Sequence, residues 1–263
     1  MLRIIHIAAF IIALGRVVAG DDRPMAHHYF SKVPHEHAAK WGYEGSIGPA
    51  HWGMLDRSYA LAEKGERQSP IDIKSMKAIP AELPELRFAY RTEQIAAVNN
   101  GHTIQHAGEP GSFLLIGAKR FSLEQFHVHT PSEHTIDGKR FDLEIHFVHK
   151  SEDGQVVVVA VVASKDDKGT VEIPLYGNLP TVPGEKVTLQ QSQNPTDYLP
   201  QGRDYFAYTG SFTTPPCTEN IRWVLLKEPI AISPRVVDRF AAILKANNRP
   251  VQPANRRVVE KSR

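Results

Sequence analysis

The chain has 263 residues, 41% of them hydrophobic and 23% charged, enough to bury one sizeable core. Its formal net charge is +2, and Arg3 and Arg16 lie in an N-terminal leader, so the remainder is near neutral. That balance argues against a dedicated nucleic-acid binder, which needs a concentrated basic face. The single cysteine, Cys217, excludes an internal disulfide and a lipoprotein-type anchor in the leader.

Residues 1–20 read as a signal peptide: a positive start at Arg3, an apolar run from Ile4 to Leu14, and small residues near Ala19 and Gly20 for cleavage. The run is shorter than the roughly 20 apolar residues of a membrane span. A buried N-terminal helix is the competing reading. The expectation is a secreted or periplasmic protein with no membrane span after cleavage, its remaining domain covering 21–263. From Gly20 to about Lys40 the chain is polar and carries His27, His28, His35 and His37, read as solvent-exposed and open to adventitious metal.

Strand-like runs follow at Leu86–Tyr90, His102–His106, Ser122–His129, Phe141–His149, Val156–Ala163, Tyr205–Phe212 and Asn220–Leu226. Turn signals separate them at Asn99-Asn100-Gly101, Asp137-Gly138, Asp153-Gly154 and Pro183-Gly184. One helix is predicted from Ser233-Pro234, with Val236, Val237, Phe240, Ile243 and Leu244 on one face. The basic tail at Arg256, Arg257, Lys261 and Arg263 reads as solvated chain end. Many strands without βαβ alternation or internal repeats indicate a single domain, mainly β, with an antiparallel-rich sheet.

The chemistry concentrates in Gln125-Phe126-His127-Val128-His129 and Asp142-Leu143-Glu144-Ile145-His146. Residues two apart on a strand share a face. His127 and His129 therefore project together, and His146 can join them from the partner strand. Three neutral imidazoles on a rigid sheet suit tetrahedral zinc with a fourth position open to water. Gln125 and Glu144 fall on the same face as His127 and His146, where they can orient the ring nitrogens not used for metal. Spacing alone leaves a metal site and a buried structural cluster both open. His134 and His149 read as buried, hydrogen-bonded structural residues, His149 on the face opposite His146.

These residues resemble the zinc-binding core of the alpha-carbonic anhydrases, of the secreted bacterial type. The resemblance spans nearly the whole chain after the leader. It runs through Trp41-Gly42-Tyr43, Gly48-Pro49-Ala50-His51-Trp52, Gln68-Ser69-Pro70-Ile71-Asp72-Ile73, Asn99-Asn100-Gly101-His102 and Ser132-Glu133-His134. It continues in Gly210-Ser211-Phe212-Thr213-Thr214-Pro215-Pro216 and Asn248-Arg249-Pro250-Val251-Gln252-Pro253. It implies a large, twisted, mostly antiparallel central sheet with short helices, and one Zn²⁺ held by His127, His129 and His146. It also implies reversible hydration of CO₂ to bicarbonate by zinc-bound hydroxide, with weak esterase activity. Thr213 would accept the hydroxide's hydrogen bond and donate to Glu133, and Thr214 would line the substrate side. Val148, Phe212, Ile221, Trp223 and either Val157 or Val158, with Val157 preferred, match the family's hydrophobic wall. His102 stands at the proton-shuttle position, with Tyr43, Asn100 and Gln105 ordering the bridging waters. CO₂ and bicarbonate are the implied partners and sulfonamides and anions the implied inhibitors; a homodimer is left open.

The sequence departs from the family pattern at several points. Phe212 is bulkier than the usual leucine, and Gln105 replaces an asparagine. Alanine occupies the position of Cys217's expected disulfide partner, about Ala62, so Cys217 is expected buried and reduced. Pro174 is expected to shorten a helix. A catalytically inactive binding module of the same fold is the alternative, but ligands, Glu133 and Thr213 are all present. Other hydrolase readings have no anchor, since neither a His-Glu-x-x-His helix nor a Gly-x-Ser-x-Gly elbow occurs.

Overall fold

Residues 39–92, 96–168, 179–188 and 192–263 are described by the computed structural model of the chain. The leader, His27, His28, His35, His37 and the stretch around Pro174 lie outside the described residues. None of the described helices is long and apolar enough to cross a membrane.

A 13-stranded sheet dominates. Its centre is formed by Lys119–His129, Leu143–Lys150 and Val156–Lys165, antiparallel neighbours rich in buried apolar residues. The strand Glu219–Leu226 then joins Val156–Lys165 in parallel and pairs antiparallel with Tyr205–Ser211. Most ladders are antiparallel, as expected, yet three in this sheet are parallel, so it is mixed. The predicted strands occur with ends moved by a few residues: the run at His102 begins only at Ile104, and the run at Ser122 starts earlier, at Lys119.

Period-2 alternation divides the core between the two faces of the sheet. Leu143, Ile145, Phe147, Val157, Val159 and Val161 pack on one face with Phe126 and Val224. Val148, Val158, Ala160 and Val162 pack on the other with Trp223, Ile221 and Tyr208. The predicted helix forms at Pro234–Leu244 and buries Val236, Val237 and Phe240 against the first face, although the Ser233 hydroxyl makes no capping bond. The short helices Trp52–Leu55 and Leu61–Lys64 carry no strong periodic signal and were not anticipated.

The connection between the first two central strands is a local hairpin. Thr135–Ile136 pairs with Lys139–Arg140 around Asp137 and Gly138, both at positive φ, the conformation an Asp-Gly turn adopts readily. This turn returns the chain so that His146 lies directly opposite His127 in the antiparallel register.

Candidate metal centre

Register places the three histidines on one face. His127 pairs with His146, His129 with Glu144, and Gln125 with Val148. The rings lie 4.7–5.2 Å apart between centroids. His129 and His146 are buried, while His127 is half-buried and marks the accessible side.

Each ring is held by its own acceptor. Gln125 Oε1 accepts from His127 Nδ1 at 2.8 Å, and Glu144 Oε1 accepts from His146 Nε2 at 2.7 Å, both as the strand spacing predicts. The acceptor for His129 Nδ1 is the Asn247 carbonyl at 2.7 Å, a residue the sequence reading did not single out. A carbonyl or carboxylate takes a ring N–H, so the opposite nitrogen of each ring keeps its lone pair. One ring nitrogen from each of the three histidines lies within 4.8 Å of the others. Glu133 Oε2 adds another acceptor, 3.6 Å from His129 Nε2 and 3.9 Å from His146 Nδ1. His129 Nε2 and Glu133 Oε2 are buried without a hydrogen-bond partner. Converging lone pairs without a donor suit a cation, and three imidazoles suit zinc.

His134, Glu144 and His146 form a second cluster of potential ligands, but its atoms are already bonded. Glu144 Oε1 also accepts from His134 Nδ1 at 2.7 Å, and its Oε2 accepts the backbone N–H groups of Glu133 and His134, each at 2.8 Å. His134 Nε2 lies 2.7 Å from the Tyr208 hydroxyl. This cluster orients the candidate ligand His146, and both ring nitrogens of His134 already have partners. His149 also has a partner: it lies 2.7 Å from the Tyr90 hydroxyl, on the Phe147 side of its strand.

Burial lowers the pKa of all three candidate ligands, that of His129 to about 4, which keeps them neutral at pH 7 as ligation requires. The two buried carboxyls diverge. Burial raises Glu133 to about 7, opposed by His146 and the Thr213 hydroxyl. Burial also acts to raise Glu144, but His134 and His146 hold it well below the usual range. Thr213 is buried beside Glu133 without meeting strict hydrogen-bond geometry at Oε2. Glu133 Oε1 is fixed by the backbone N–H of Arg249 at 2.8 Å.

A cavity of about 30 Å³, room for a water or two, opens on His127 and His146. Val148, Val158, Phe212, Thr213, Thr214, Trp223 and Gln125 line it. The valine of this wall is Val158, not Val157: Val158 pairs with Val148 and shares its face, whereas Val157 faces the opposite core. Ile221 packs in the core on the cavity's side of the sheet without lining the cavity.

His102 lies outside this cavity. Its ring stacks on Trp41 at 3.6 Å and 7°, facing a neighbouring cavity of about 560 Å³ that Tyr43 and Asn100 also line. Burial lowers its pKa. Asn100 Oδ1 is occupied by the backbone N–H groups of His102 and Thr103, and its amide reaches Gln105 Oε1 at 3.4 Å. Asn100 thus shapes the loop and keeps an exposed amide proton free. The Tyr43 hydroxyl is buried without a partner; burial and then Glu133 raise its pKa.

Cys217 is fully buried, unpaired and at positive φ, with its pKa pushed up to about 11 by burial. Where a disulfide would tie Cys217 to Ala62, the buried Arg249 guanidinium donates to Ala62 O, Ser69 O and Gln68 Oε1, each at 2.8 Å. Gln68 Nε2 donates to the Cys217 carbonyl at 3.0 Å.

The family model for eukaryotic-type carbonic anhydrase matches residues 47–263. A carbonic anhydrase of Pectobacterium carotovorum is 39% identical over 220 residues, covering 83% of this chain and 89% of that one. One from Neisseria gonorrhoeae is 37% identical, covering 88% and 91%. Among solved structures, the alpha-carbonic anhydrase from Thermovibrio ammonificans in complex with the inhibitor sulfanilamide is 41% identical. It aligns with a TM-score of 0.82 over 85% of this chain and 100% of its own. With fold, sequence and a three-histidine centre in agreement, the chain belongs to the alpha-carbonic anhydrases.

Proposed function

We propose that the chain catalyses the reversible hydration of CO₂ to bicarbonate and a proton, with one zinc held by His127, His129 and His146. The observation that carries this is the convergence of three oriented imidazoles, with the buried His129 Nε2 left without a partner. A bound zinc supplies a Lewis acid that brings the ionisation of water to about pH 7, a magnitude established for carbonic anhydrases as a class.

The chain's own residues supply the rest. Gln125, Asn247 and Glu144 fix the imidazoles so that little reorganisation accompanies the reaction. Glu133, anchored by Arg249, accepts the Thr213 hydroxyl proton, so the Thr213 oxygen faces the attacking water as an acceptor only and sets its direction. Val148, Val158, Phe212 and Trp223 give CO₂ an apolar wall, and Thr214 lines the entrance side. His102 carries the released proton outward by leaving its stack on Trp41, since an imidazole titrates near the working pH. Tyr43 and Gln105 flank that route.

Residues 1–20 act as a signal peptide, so the domain of 21–263 works outside the cytoplasm. Weak ester hydrolysis is a side reaction of the same centre. Sulfonamides and small anions are its inhibitors, as sulfanilamide is for the Thermovibrio relative.

Stopped-flow CO₂ hydration with zinc analysis tests the reading. His146→Ala should lose stoichiometric zinc and nearly all activity; full activity in that variant overturns the assignment. His102→Ala should lower kcat in weak buffer, with recovery on adding imidazole.

A further inference from the structure

The loop that carries His102 must hold its backbone at a fixed place relative to the metal-ligand strand. Its internal bonds do not accomplish this: Asn99 Oδ1 accepts from Gly101 N, and Asn100 Oδ1 accepts from the N–H groups of His102 and Thr103, all within the loop. Two side chains cross to the strand Lys119–His129. Thr103 Oγ1 donates to Val128 O at 2.6 Å. Asn247 Nδ2 donates to the same Val128 carbonyl at 3.0 Å and, with its other proton, to the His102 carbonyl at 3.0 Å.

Asn247 is 1% exposed, and each of its polar side-chain groups is used. Its Oδ1 accepts from Thr130 N at 2.8 Å, and its main-chain carbonyl accepts from His129 Nδ1. One carboxamide therefore binds the residue between two metal ligands, the residue after the second, and the proposed proton shuttle. Satisfied buried networks of this kind specify one backbone arrangement.

We infer that the Asn247 side chain is a positioning residue for proton export: it sets the backbone of the His102 loop against the ligand strand. The inference rests on His102 acting in proton export. The side chain and the main chain of Asn247 have separable duties. Removing the carboxamide frees the His102 carbonyl and leaves the bond from His129 Nδ1 to the main-chain carbonyl in place. The zinc centre then keeps its orienting shell while the loop gains freedom.

The test compares wild type, Asn247→Ala, Asn247→Ser and His102→Ala as full chains loaded with zinc. Asn247→Ser also removes both amide donors and buries no charge, so it provides a second variant if alanine does not fold. Three quantities are read: amide hydrogen exchange at Gly101–Thr103, zinc affinity by chelator competition, and kcat against kcat/KM in weak buffer with and without imidazole. The expected result is exchange at the loop faster by about tenfold or more. kcat should fall by at least about threefold and recover with imidazole, a larger loss than that of kcat/KM or of zinc affinity. Unchanged loop exchange, or a parallel fall of kcat and kcat/KM with weakened zinc, overturns the inference. An unaffected His102→Ala kcat identifies the shuttle reading itself as the failure and removes the basis for the Asn247 role.

Discussion

Glu144 offers the sharpest test of how the centre is oriented. Its carboxylate is fully buried and accepts four hydrogen bonds, from His146 Nε2, His134 Nδ1 and the backbone N–H groups of Glu133 and His134. Glu144→Gln keeps the shape but replaces one acceptor oxygen with an NH₂ donor. The backbone N–H groups cannot change, so the amide oxygen turns to them and the NH₂ meets the two imidazoles. A donor–donor clash costs about 1–3 kcal/mol, and without metal only the one at His134 persists, so the metal-free protein should lose about 1–3 kcal/mol. His146 can relieve its clash by moving its proton to Nδ1, but that nitrogen is the one offered to the metal. Zinc affinity should therefore fall about 10–100-fold, equivalent to about 1.4–2.7 kcal/mol. Urea unfolding of metal-free protein measures the first quantity and chelator competition the second. Stability within 0.5 kcal/mol of wild type (roughly the scatter of surface substitutions) together with unchanged zinc affinity would refute the reasoning.

Three further outcomes follow from the buried groups. His106 and His149 both have pKa values lowered to about 3 by burial, against about 6.5 when unfolded. The unfolded chain therefore binds more protons between these values, and stability falls as pH drops below 6.5 toward 3, by about 1.4 kcal/mol per pH unit for each group. His106→Phe should flatten the slope of urea midpoints between pH 6.5 and 5, and an unaltered slope would exclude His106 as a contributor. Cys217, buried and with its pKa near 11, should resist a thiol reagent in native protein at pH 8 and react promptly in denaturant, as a free-thiol assay reads directly. Trp41→Ala removes the ring that covers His102, so the His102 pKa, lowered by burial, should rise toward 6.5 in an NMR titration; no change would mean that Trp41 is not what buries it.

How much of this was legible in the sequence varies with where each residue sits along the chain. His127, His129, His146, Gln125 and Glu144 were readable because alternation along a strand is a local property: residues two apart share a face wherever the strand lies. The Asp137-Gly138 turn and the Pro234–Leu244 helix were readable for the same reason, their signals lying within a few residues. Resemblance added Glu133, Thr213 and His102, whose roles no local pattern announces.

Tertiary structure alone decided what depends on register or on distant segments meeting. Val158 rather than Val157 lines the cavity because a one-residue choice of register exchanges the faces of the entire strand, and an unbroken run of valines carries no alternation to settle it. The parallel pairing of Val156–Lys165 with Glu219–Leu226 spans more than fifty residues of chain and leaves no local mark. Asn247 and Arg249 are over a hundred residues from His129 and Glu133, and they act partly through backbone groups that every residue possesses. The candidate metal ligands are written in side-chain spacing, whereas the groups that aim them come from wherever the folded chain brings a carbonyl or an N–H within reach.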